Sequence, residues 1–166
     1  MKNKKALSAV VSVVLMIALV LAATGVVFSI VKKTAEEKLK DSKSCFDIVE
    51  KFSLEDDYTC YNVSNEKVFV SISRKEILVD YLLISVSSED HGITFKLYNE
   101  DKDLTGISRY PGGETLVSLP LNESGKTYMV DWNYDERPLK VQIAPSINKR
   151  QCDIVDQIME IQNCLY

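Results

Sequence analysis

The order of apolar and polar positions divides the chain into two regimes. Leu7–Val31 reads LSAVVSVVLMIALVLAATGVVFSIV, 25 residues with no charge, no Pro and one Gly. A helix of that length is about 37 Å long, enough to cross the ~30 Å hydrocarbon core of a bilayer. From Lys67 onward the period falls to two. Lys67–Ser73 puts Val68, Val70 and Ile72 on one face. Ile77–Val86 is apolar on both faces, which predicts a central strand. Ile93–Tyr98, Thr115–Leu119, Thr127–Trp132 and Leu139–Ala144 bring the total to about six strands, spaced roughly every ten residues.

The breaks between these strands are turn-rich: Ser88–Gly92, Tyr110–Gly113, Asn122–Gly125 and Asp135–Pro138. Helical patterns do not separate the strands, so parallel β-α-β units are not expected. The expected fold is α+β: a long N-terminal apolar helix followed by an antiparallel β-sandwich-like head. Lys32–Phe52 joins them as a neck of helix-favouring Lys, Glu and Ala. Glu36 and Lys40 have the favourable i,i+4 orientation there. The helix is expected to run to about Lys40, and at most to Phe52, with a break near Asp41–Ser44. In the tail, Ile154, Ile158, Ile161 and Leu165 fit a short helix or a strand ending in a turn. The segments are thus a basic tip (1–6), the apolar helix (7–31), a helical neck and loop (32–60), a β-rich head (61–150) and a Cys-bounded tail (151–166).

Charge sharpens the division. The whole chain carries 20 Lys and Arg against 24 Asp and Glu, a net of −4. That acidic balance argues against a nucleic-acid partner. Lys2, Lys4 and Lys5 precede the apolar run; Lys32–Tyr166 holds 17 Lys and Arg against 24 Asp and Glu, a net of −7. The leading lysines favour a cytoplasmic N-terminus, although Lys32, Lys33, Lys38 and Lys40 on the far side weaken the asymmetry. Three fates are open to the run: a cleaved secretory signal, with Ala23-Thr24-Gly25 as a cleavage site; a permanent anchor; or cleavage before the run, leaving the helix at a new N-terminus. Continuation of the run through Val31 argues against the first. At 100° per residue, Ser8, Ser12, Ala18, Ala22, Gly25 and Ser29 fall within an arc of about 140°. Such a small face lets helices pack closely, although Ala and Ser are also common in membrane spans.

Cys45, Cys60, Cys152 and Cys164 all follow the apolar run, on its outer side, where an even count favours two disulfides. Three connectivities are open. Cys45–Cys60 would close a short loop between neck and head, leaving Cys152–Cys164. In a straight tail helix those two would stand ~18 Å apart, so that pairing requires a broken helix or a turn. A zinc site is disfavoured: no Cys-x-x-Cys occurs and His91 is the one His. Asn62-Val63-Ser64 and Asn122-Glu123-Ser124 are glycosylation sequons in expected outer loops.

Catalysis has no visible apparatus. Gly-x-Ser-x-Gly, a P-loop and His-Glu-x-x-His are missing, and His91 sits beside Gly92 in a turn without a second base. Asn99–Asp103 and Glu55–Asp57 are acidic but lack the spacing of a Ca²⁺ loop. The expectation is a protein that is not an enzyme and uses no cofactor or metal.

Lys4-Lys5-Ala6-Leu7-Ser8-Ala9-Val10-Val11 resembles the start of archaeal type IV pilin-like and archaellin-like proteins, which carry a class III signal peptide. Cys45, Tyr58-Thr59-Cys60-Tyr61-Asn62 and the Cys-bounded tail add to the resemblance. It implies cleavage by a prepilin-type peptidase between Ala6 and Leu7, with Lys5 and Ala6 ending the leader. Bacterial relatives usually carry Glu at the fifth mature position, where Val11 stands here; its lack is common among archaeal members. The implied function is a structural subunit of a surface filament, with copies of itself, the membrane and the peptidase as partners, and an adhesive role open to the head. The helix would sit in the membrane before assembly and in the filament core after it. The competing expectation is a single-pass, membrane-anchored binding module that forms no filament, and a minor pilin or pseudopilin is a third.

Overall fold

The computed structural model describes residues 3–165; side chains of residues 3–10 and 37–44 lie outside that description. The chain divides into two compact units, Met1–Lys43 and Ser44–Tyr166. The first is nearly all of α1, Asn3–Phe46, whose 44 residues rise about 66 Å. Pro is absent from it and Gly25 is its one glycine, so nothing in the backbone interrupts it. Thr24 and Thr34 direct their hydroxyls back to the carbonyls of Leu21 and Ile30, each at 3.0 Å. That satisfies both polar groups without water. The break expected near Asp41–Ser44 does not occur; helical backbone continues through Phe46. Lys, Ser and Asp are tolerable helix residues, and the helix ends where Ile48 turns into the head core, fully buried.

Among the described residues, the second unit is built from thirteen short strands: β1 (Phe52–Leu54), β2 (Cys60–Asn62), β3 (Lys67–Arg74), β4 (Tyr81–Ser87), β5 (Gly92–Tyr98), β6 (Lys102–Asp103), β7 (Ile107–Arg109), β8 (Leu116–Val117), β9 (Ser124–Asp131), β10 (Lys140–Ile147), β11 (Arg150–Gln151), β12 (Asp156–Ile158) and β13 (Gln162–Asn163). They form mostly antiparallel sheets. One has the order β13-β2-β3-β9-β7, with β1 also on β3; a second has β11-β10-β4-β5, with β12 also on β10; β6 and β8 pair in a two-stranded third. The exception is β13, which runs parallel to β2.

Alternation decides which face each strand buries. Val68, Val70 and Ile72 of β3 and Tyr128 and Val130 of β9 point inward from the first sheet. Leu82, Ile84 and Val86 of β4, Leu97 of β5, and Val141 and Ile143 of β10 do so from the second. All belong to one hydrophobic core with Trp132, Phe52 and Ile48. Fully burying each such side chain is worth about 1.5–3 kcal/mol.

The structure moves the start of one expected strand and decides between the two forms open to the tail. The strand expected from Ile77 begins at Tyr81. Arg74 Nη2 donates to the Ile77 carbonyl at 2.6 Å and Asn99 Nδ2 to the Val79 carbonyl at 2.7 Å, so side chains hold this stretch in a non-strand conformation. β4 is nevertheless central, between β10 and β5. The tail is extended rather than helical: Ile161 is buried while Leu165 is 92 % exposed. The Asp156 carboxylate accepts the Leu54 amide at 2.8 Å, tying β12 to β1.

A polar lattice braces one connection. Tyr128 Oη donates to the Ser118 carbonyl at 2.6 Å, Lys126 Nζ to those of Ser118 and Leu119, and Arg74 Nη1 to that of Pro120 at 3.0 Å. Burial pushes the Tyr128 phenol well above its ordinary range and lowers the Arg74 and Lys126 pKa values. Ser118–Pro120 thus runs through the head with its carbonyls satisfied by side chains rather than by a sheet.

Candidate functional site

The apolar helix is one candidate site. Among the described residues, 26 from Val11 to Glu36 are long and apolar enough to cross a membrane. Every side chain in that stretch is exposed, Phe28 by 71 %. Ser12, Ala18, Ala22, Gly25 and Ser29 therefore line a free surface, while the side chain of Ser8 lies outside the described residues. A methyl added at Gly25 would meet nothing within 4 Å. Among the described residues, no internal contact requires glycine there. Lys32 and Glu36 form an exposed i,i+4 ion pair at 3.8 Å where the apolar stretch ends. Lys5, Ala6 and Leu7 are helical in backbone, and their side chains are likewise outside the described residues. Val11 is exposed at its expected place near the start of the span.

All four cysteines are paired, and neither bond is the sequence-adjacent one. Cys45 joins Cys152 (Cα–Cα 5.5 Å) and Cys60 joins Cys164 (5.0 Å). The Cys45–Cys60 and Cys152–Cys164 arrangement is thereby excluded. Strand pairing explains the choice. β13 lies beside β2 with Gln162 opposite Cys60, and the Cys164 amide donates to the Tyr61 carbonyl at 2.9 Å. On the other side, the Cys152 amide donates to the Pro145 carbonyl at 2.9 Å. The bonds span 107 and 104 residues, and closing a loop of that size restricts the unfolded chain by about 4.7 kcal/mol.

The outward face of the first sheet holds a second candidate site. Cys60 and Phe69 are register partners, and Phe69 meets Tyr110 edge-on at 5.4 Å. With Asp57, Tyr58, Asn62, Thr127 and Cys164 they line a groove of about 330 Å³. Tyr58 and Tyr110 are 67 % and 53 % exposed. This aromatic set is absent from the sequence expectations because its members are scattered along the chain. One signal was available: Phe69 occupies the outward phase of a strand whose inward phase is Val68, Val70 and Ile72.

The two sequons differ in setting. Asn62 ends β2 at the groove, and its Oδ1 accepts the Ser64 amide at 3.0 Å. Asn122 is exposed in a turn, where the Ser124 hydroxyl donates to the Leu121 carbonyl at 2.7 Å.

His91 stacks on Tyr134 at 4.5 Å and faces Glu136 Oε2 at 3.5 Å. The Ser88 hydroxyl, which donates to Glu136 at 2.8 Å, holds that carboxyl below its ordinary pKa, with His91 adding to the effect against desolvation. The group pins one turn of the head to another. Asn99 is occupied by Arg74 and Val79, and Asp56 and Asp57 lie exposed in a short 3-10 turn. Among the described residues no group of three or more His, Cys, Asp or Glu could hold a metal ion.

No family model, characterised protein or solved structure matches the chain.

Proposed function

We propose that this chain is a structural subunit of a type IV pilus-like surface filament. The observation that carries the reading is the exposed apolar helix with its small-residue face, followed directly by a disulfide-bonded head. A helix apolar on every side must exchange water for lipid or for other helices. In this reading it is held in the membrane before assembly, N-terminus cytoplasmic, and is then packed against copies of itself. The small arc supplies the close contacts. The head, read as β-sandwich-like, forms the outer surface, where oxidation of its cysteines is favoured, and it is open to an adhesive role. A prepilin-type peptidase cuts between Ala6 and Leu7, and catalysis and cofactors have no part.

N-terminal mass spectrometry of the protein from its native membrane tests the reading. A mature chain beginning at Leu7 supports it. A chain beginning at Met1, or after Gly25, sinks it. Electron microscopy of sheared surface filaments then separates subunit from anchor: absence of the chain from any filament leaves the membrane-anchored binding module.

A further inference from the structure

The groove on the outward sheet face and the Asn62 sequon occupy the same place. The rings of Tyr58, Phe69 and Tyr110 give it apolar surfaces, and Asp57, Asn62 and Thr127 supply polar groups beside them. Rings flanked by hydrogen-bonding groups suit a sugar, whose C–H faces pack on aromatics while its hydroxyls need partners. Asn62 Oδ1 is engaged by the Ser64 amide, and that bond leaves Nδ2 as the free end of the carboxamide.

We propose that Asn62 carries an N-linked glycan whose first sugars seat in this groove. The donor is a lipid-linked oligosaccharide phosphate outside the membrane. The bond between the sugar's anomeric carbon and the phosphate oxygen breaks, and the oxygen leaves with the electron pair. Asn62 Nδ2 forms the new C–N bond and gives up one proton to the transferring enzyme. Asn122 is the internal comparison, an exposed turn residue that is not among those lining the groove. The seated sugar covers the exposed faces of Tyr58 and Tyr110 and shields the Cys60–Cys164 bond that lines the same groove. The proposal rests on the head lying outside the membrane, as in the reading above, and not on filament assembly.

The test uses full-length protein from cells that process it natively. Peptide mass spectrometry is expected to find a glycan on the Asn62 peptide, lost in N62Q and S64A and kept in S64T. Nitration by tetranitromethane then reads the seating. Tyr58 and Tyr110 should react several-fold faster in N62Q and S64A than in the native chain, with N122Q unchanged. An unmodified Asn62 in a chain whose cysteines are oxidised overturns the proposal alone. Equal nitration of native and N62Q protein overturns the seating. Cysteines that alkylate without prior reduction place the head in a reducing compartment, which overturns the outward topology and the proposal with it.

Discussion

Trp132 and Phe28 are both large, apolar and aromatic, yet Trp132 is 0 % exposed and Phe28 is 71 % exposed. The same contrast holds between their regions. The head buries many of its hydrophobic residues internally, by alternation on two main sheets that share one core. The helix from Val11 to Glu36 resolves none of them. A polar group in that helix is satisfied by its own backbone, as Thr24 and Thr34 are, but an apolar side chain has no such recourse. The helix is therefore stable as secondary structure and incomplete as a surface. Its completion must come from lipid or from neighbouring helices.

The contrast can be broken most severely at the disulfides. Replacing all four Cys by Ser should destabilise the head by about 2–5 kcal/mol for each bridge lost. Urea unfolding followed by the fluorescence of Trp132, the one tryptophan, reads this directly. Next in size is Trp132→Ala, expected to cost about 3–5 kcal/mol because it leaves a cavity, and followed by circular dichroism because the variant lacks the fluorophore. It also removes the hydrogen bond from Nε1 to the Glu136 carbonyl at 2.6 Å. Neither change should alter membrane extraction of the uncleaved helix.

The converse experiment is Ala18→Lys. A lysine at the middle of the span costs about 2.5–3.5 kcal/mol of insertion and should leave the urea midpoint of the head where it was. A shift of the head midpoint would mean that the two regions are coupled. A smaller effect is expected at Gly25. Gly25→Ala should raise the isolated helix's stability by about 1 kcal/mol, since nothing among the described residues opposes a methyl there. On the filament proposal, Gly25→Leu should reduce filament yield without touching head stability, and unchanged yield would remove Gly25 from the proposed contact face.

The mildest test concerns acid. The Glu136 carboxyl, held low chiefly by the Ser88 hydroxyl, titrates below its ordinary 4.5 in the folded head. A depressed folded pKa contributes stability that is present above that ordinary value and is lost as pH falls through the folded one. Glu136→Gln should therefore flatten the loss of head stability below about pH 4.5, with a small change at neutral pH. Thermal melts across pH 3–7 measure it.

The legible parts of the molecule were those set by local pattern. β3, β5, β9 and β10 follow from alternation of residues such as Val68, Val70 and Ile72, and the helix from 25 residues without charge. Hidden elements depend on partners remote in sequence. β2 and β13 are three and two residues long, too short to show a period, and their pairing sets Cys60 beside Cys164. β4 starts later than its apolar pattern because Arg74 and Asn99 take the carbonyls of Ile77 and Val79, a competition no periodicity reports. Ile154, Ile158, Ile161 and Leu165 had helical spacing, yet strand pairing with β10 and β2 prevailed. The small face of the helix was readable from spacing alone. The aromatic groove was not, because Tyr58, Phe69 and Tyr110 converge only when the sheet is formed.

The crossing pattern of the disulfides also has a consequence in time. A chain made from its N-terminus presents Cys45 and Cys60 long before their true partners exist. At synthesis rates of roughly 5–20 residues per second, Cys60 waits about 5–20 s for Cys164. During that interval the bond within reach is the wrong one, Cys45–Cys60. Oxidation that is too early traps the nascent head, and rescue requires thiol–disulfide exchange. The compartment in which these bonds form needs either delayed oxidation or an isomerase.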